Sequence, residues 1–171
     1  PALSLFDKLQ LGILTIFTYY FTLDCNFIIV PLCALLTIIL YKKNKKAFVL
    51  QTILDIIIVV FYLLRSVNPN LLIFNNRLAQ FAGRQNIEVI FECFVLLVLG
   101  ITLFYNVYIS SKNTKEGLLH ILLLCAGFCS AFIIAFSPTI YPSGARCYLF
   151  MSYAIFFVTF ALFEDKISEK T

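Results

Sequence analysis

The chain has 171 residues, of which 61% are hydrophobic and 13% charged, with a formal net charge of +4. Soluble globular domains carry about 25% charged residues, so a mean hydropathy of +0.95 excludes a soluble domain and leaves an integral membrane protein. The charge surplus is small and no basic stretch is interleaved with aromatics, which excludes a nucleic-acid-binding module.

A membrane-crossing helix needs about 20 mostly apolar residues. The first apolar run, 9–41, is too long for one crossing and is broken by Asp24-Cys25-Asn26. It divides into an interfacial helix over about 3–22 and a short span over 27–41. Pro31 falls in the early turns of that span, where proline is best tolerated. The next span covers 47–66 and is ended by the turn Asn68-Pro69-Asn70. Leu71, Phe74, Leu78 and Phe81 then form an apolar stripe, with Arg77, Gln80 and Arg84 on another face. That pattern predicts a second interfacial amphipathic helix over 71–85, lying on the membrane surface. Further spans are expected over 88–109, 117–137 and 148–164. Ser137-Pro138 ends one of them, and Tyr141-Pro142-Ser143-Gly144 reads as a hairpin turn before the last. Gly127, Cys129, Ser130 and Ala131 give the 117–137 helix a small-residue face for close packing. The fold class is therefore all-α. It is a polytopic transmembrane bundle of about five membrane helices plus interfacial helices, in one membrane domain over 1–171. The chain opens on Pro1 and its one methionine is Met151, which reads as a C-terminal fragment of a longer protein.

Orientation follows from the basic residues. Lys42, Lys43, Lys45 and Lys46 cluster after one span, Lys112 and Lys115 lie in a second connection, and Lys166 and Lys170 follow the last span. Eight of the nine lysines thus share one face, expected to be cytoplasmic. All four arginines, Arg65, Arg77, Arg84 and Arg146, fall on the opposite side. Snorkelling at helix ends accounts for single arginines there. A set segregated by residue type points instead to an anionic ligand, because the planar guanidinium binds phosphate bidentately and lysine does not.

Three acids stand within or at the edge of the spans. Asp55 lies nine residues beyond Lys46, about 13 Å into the bilayer at 1.5 Å per residue. An acid at that depth is expensive and is read as functional by default, or else it is hydrogen-bonded to a neighbouring helix. Glu88 and Glu92 stand one turn apart at the start of a span. They either pair with Arg84, Arg65 or Arg146, or face a cavity that takes a cation or a sugar hydroxyl. His120, the one histidine, has no acid or cysteine at ligand spacing and is expected to be hydrogen-bonded between helices. No metal-ligand, zinc-protease, nucleophile-elbow or P-loop pattern occurs, so neither metal nor cofactor is expected. Of the six cysteines, Cys33, Cys93, Cys125 and Cys129 lie inside apolar runs as small hydrophobes. Cys25 and Cys147 fall near the outer surface, where a bridge between them is open.

The segment "FSPTIYPSGARCYLF", with the outer loop "NPN…NNRLAQFAGR", resembles the C-terminal half of GtrII-like and related GT-C-like bacterial membrane glycosyltransferases. The likeness rests on the Ser-Pro…Pro-x-Gly-x-Arg pattern at 137–146. It implies a bacterial plasma-membrane protein of cell-envelope polysaccharide modification, using a polyprenyl-phosphate-linked sugar at the outer face. It also implies a catalytic acid in a first outer loop upstream of this chain, so only Arg146 carries over, as a phosphate contact. The expected function is the membrane region of such a transferase. Arg146, Arg77, Arg84 and Arg65 would hold lipid phosphate, and Glu88 or Glu92 would orient the sugar. The alternative is a piece of a secondary transporter in which Asp55, Glu92 and His120 mark an ion path. A structural membrane subunit is the third reading.

Overall fold

The computed structural model describes residues 5–6, 8–10, 12–13, 16, 26–67, 87–133 and 140–168. Five helices follow in order: α1 (Asn26–Lys43), α2 (Lys45–Val67), α3 (Ile87–Ser110), α4 (Thr114–Phe132) and α5 (Ile140–Ser168). No strand occurs among the described residues. Three of the helices are long and apolar enough to cross a membrane, over Cys93–Ser110, Thr114–Phe132 and Tyr148–Ser168. The expected interfacial helix at 71–85 lies outside the described residues. The described residues between 5 and 16 are helical, and Gln10 and Ile16 among them are buried. The Gln10 carbonyl accepts from Cys93 Sγ at 3.8 Å, which brings this segment against α3.

Two asparagines start helices at the same end of the bundle. Asn44 alone separates α1 from α2. Its backbone N–H still bonds Leu40 O at 3.0 Å, closing α1, while its Oδ1 accepts from the N–H groups of Lys46 and Ala47 at 3.0 and 3.2 Å. Those are donors that a helix start leaves unpaired. Asn113 does the same for α4. Its Oδ1 accepts from Glu116 N at 2.9 Å and its Nδ2 donates to Glu116 Oε1 at 2.8 Å, a reciprocal cap.

The helices pack through narrow stripes. On α4 the buried residues are Gly117, His120, Leu124, Gly127 and Ala131, spaced by three and four. Gly127 permits a close approach to α5, since a Cβ there would stand 3.0 Å from both Met151 Cα and Ala154 Cβ. The small-residue face is thus real at Gly127 and Ala131. Cys129 is exposed, and Ser130 turns its hydroxyl back to Gly127 O at 2.7 Å. Leu32, Leu36, Leu40, Leu54, Leu124, Ile155 and Leu162 fill the core.

Around that apolar core the outer surface is apolar as well, and a few polar groups lie inside. Gln51, Asn106, Ser110, Ser111 and His120 are buried, while Ile38, Phe94, Ile101, Leu119, Phe150 and Phe157 are exposed. Exposed apolar surface of this extent is rare on a soluble monomer. A bundle surrounded by lipid needs this arrangement, since hydrocarbon cannot satisfy a polar group.

One expected boundary moves. The residues read as a hairpin turn, Tyr141-Pro142-Ser143-Gly144, are the opening turns of α5, which begins at Ile140. Proline in a first turn loses no hydrogen bond, because those N–H groups have no partner within the helix anyway. Turn-forming composition and helix-opening composition coincide here.

Candidate functional site

Three regions of the bundle carry the chemistry. The first is a polar chain in its interior. Gln51 and Asp55 are one turn apart on α2, and Gln51 Nε2 donates to Asp55 Oδ1 at 2.8 Å. Thr37 Oγ1 of α1 lies 2.6 Å from Asp55 Oδ2. Asn106 Nδ2 of α3 donates to Gln51 Oε1 at 2.8 Å. The Gln51 amide therefore relays between α3 and Asp55, and the Cys33 thiol of α1 meets the same pair. Asn106 Oδ1 is buried without a hydrogen-bond partner. Of the two readings for Asp55, the hydrogen-bonded one describes the geometry.

The second region is the end of the bundle where α1, α3 and α5 finish. Lys43 Nζ reaches the carbonyls of Ser111 at 2.5 Å and Ser110 at 3.4 Å, neutralising the C-terminal end of α3. Ser111 Oγ is 2.9 Å from His120 Nδ1 and 2.9 Å from Val107 O. The histidine is hydrogen-bonded as expected, and its partner is the α3–α4 connection. Beside these groups a cavity of about 270 Å³ is lined by Lys42, Lys43, Lys112, Lys166 and Asp165, over Ile39 and Leu162.

The third region is the opposite end. Arg65 stands 20 residues beyond Lys45 on α2 and Arg146 stands 20 residues before Lys166 on α5, each about 30 Å along the axis. Glu88 and Glu92 precede Ser110 of α3 by 22 and 18 residues, about 33 and 27 Å. These four positions share one end, far from the lysine cavity. Their side chains lie outside the described residues, as do Arg77 and Arg84 entirely. Asp55 does not join them, being ten residues, about 15 Å, short of Arg65.

The chain matches no known protein family, no curated protein and no solved structure.

Among the described residues no group of three histidine, cysteine or acidic side chains is placed to hold a metal ion. Cys33 and Cys93 are buried thiols, Cys33 beside Gln51 and Asp55 and Cys93 against the Gln10 carbonyl, and Cys25 and Cys147 lie outside the described side chains. Sequence reasoning missed Thr37, Gln51 and Asn106. A usable signal existed. Thr37 is five residues before Lys42, Gln51 five after Lys46, and Asn106 six before Lys112, so all three lie at one depth from the lysine rows. Polar residues at equal depth on consecutive spans are candidates to meet.

Proposed function

We propose that the chain is the membrane region of a cell-envelope glycosyltransferase-like protein, handling a lipid-phosphate-linked saccharide at the end remote from the lysines. The observation that carries this is the shared placement of Arg65, Arg146, Glu88 and Glu92 at that end of three different helices. Guanidinium groups at a membrane boundary suit a phosphate or pyrophosphate, which they clamp through paired N–H groups. Carboxylates one turn apart suit sugar hydroxyls, to which they offer only acceptors. In this reading α1 and α2 also cross the bilayer, making five crossings, and the lysine end faces the cytoplasm of a bacterial cell. The test is Arg146→Lys in the full-length protein, which keeps the charge and loses the fork. Polyprenyl-phosphate binding should fall at least tenfold, the scale of a lost charge-assisted hydrogen bond of about 1.5–3 kcal/mol. Unchanged binding refutes the phosphate role.

A second reading has its own observation. Thr37 Oγ1 lies within reach of both Asp55 Oδ2 and Cys33 O, at 2.6 and 3.0 Å, but owns one proton. With Asp55 ionised the hydroxyl donates to the carboxylate. With Asp55 protonated the acid donates to the hydroxyl, which then donates to Cys33 O. The same heavy-atom geometry serves both states, which suits a proton- or cation-coupled transporter. Loss of coupled uptake in Asp55→Asn, with Arg146→Lys silent, favours this reading over the first.

A further inference from the structure

We infer that the cavity at the lysine end is a binding site for the phosphate of an anionic membrane lipid. Its lining brings together Lys42 and Lys43 from the end of α1, Lys112 from the α3–α4 connection and Lys166 from α5, with Asp165 as the one acid. Four positive charges against one negative leave a formal surplus of +3. Lysines also gather at helix C-termini on account of the dipole, so that term must be weighed first. Three helices end here and two begin here. At about half a charge per terminus the dipoles sum to only about −0.5. The surplus is several times larger than the helix ends call for, and Lys43 alone already answers the carbonyls of α3.

The cavity, about 270 Å³, takes a phosphate together with the glycerol it is esterified to. Its apolar floor, Ile39 and Leu162, is of no use to a free anion. Ile38 and Tyr41 on the same turns of α1, and Phe163 and Ile167 on those of α5, are exposed and offer apolar surface to acyl chains. Basic pockets between helices at a membrane boundary are the form that headgroup sites take. The ligand is therefore a lipid phosphate in preference to dissolved phosphate. The inference holds for either orientation of the bundle and does not depend on the function proposed above.

The experiment is a titration of the purified full chain in neutral detergent, with bound lipid counted by native mass spectrometry. Phosphatidylglycerol should bind at least tenfold more tightly than phosphatidylcholine, and inorganic phosphate at the same concentration should not displace it. Lys42→Gln with Lys112→Gln should weaken phosphatidylglycerol about 25-fold, at roughly fivefold per lysine near a membrane surface. Lys45→Gln with Lys46→Gln removes the same charge from the same end without touching the lining, and should weaken it less than fivefold. Equal loss in the two pairs means diffuse attraction and overturns the site. Equal binding of phosphatidylcholine overturns the role of charge. Displacement by inorganic phosphate overturns the lipid assignment. The comparisons among ligands need no variant, so they decide the matter even if a double substitution fails to fold.

Discussion

Gly127→Ala is the sharpest probe of how α4 meets α5. The added Cβ would stand 3.0 Å from Met151 Cα and from Ala154 Cβ, and 3.2 Å from Met151 Sδ. The thioether can swing aside, but a Cα moves only with its helix. Ordinary contact begins near 3.4 Å, so the helices must part by about 0.4 Å. Overpacking of this kind costs about 1–3 kcal/mol. Alanine returns about 1 kcal/mol through its better helix propensity. The expected net is a destabilisation of about 1 kcal/mol, with a range from about 0 to 2 kcal/mol. It is measured by titrating the chain in mixed micelles with sodium dodecyl sulfate and following near-ultraviolet tyrosine dichroism. Ala126→Gly, on the exposed side of the same turn, is the companion variant and should lose about 1 kcal/mol from propensity alone. A Gly127→Ala chain more stable than wild type by about 1 kcal/mol would show propensity acting without a clash. That result refutes the close approach of the two helices.

Other outcomes follow from the same structure. Asn113→Ala removes both halves of the reciprocal cap on α4 and should cost about 1 kcal/mol in the same unfolding titration. A double-mutant cycle between Asn106→Ala and Gln51→Ala should give a coupling of about 0.6 kcal/mol and no more than about 1.7 kcal/mol, the mean and the maximum for hydrogen bonds between membrane helices. A coupling of zero would mean that Gln51 and Asn106 do not meet. Lys43→Met should cost about 0.3–1 kcal/mol by exposing the last carbonyls of α3, and the loss should shrink as salt screens the interaction.

The skeleton of the bundle was readable because lysine rows alternate with apolar runs. Lys42 to Lys46 and Lys112 to Lys115 bracket the two short connections, and the helix ends next to them fall within three residues of the expected ones. The start of α5 was misread at Pro142 and Gly144, whose turn chemistry and first-turn chemistry are the same. Asp55 was singled out by its depth, and its partners were not. A lone Thr, Gln or Asn in an apolar run carries no mark of its own, and only the hairpin geometry shows that Thr37, Gln51 and Asn106 reach the same level. The stripe on α4 was half legible. Gly127 and Ala131 belong to it, while Gly117 and His120 join it because they face Tyr108 of α3 and Ser111 of the α3–α4 connection.

The connection at Asn44 bears on how the chain enters a membrane. One residue between α1 and α2 leaves no loop that an insertion machinery can hold on one side while it decides the fate of the second helix. In the proposed five-crossing arrangement the two helices would insert as a single hairpin, committed together or not at all. The lysines that flank Asn44 sit at the tip of that hairpin, where they resist being carried across. Lengthening the connection would release α2 to be sorted by its own charges, so topology here is written in the brevity of a turn.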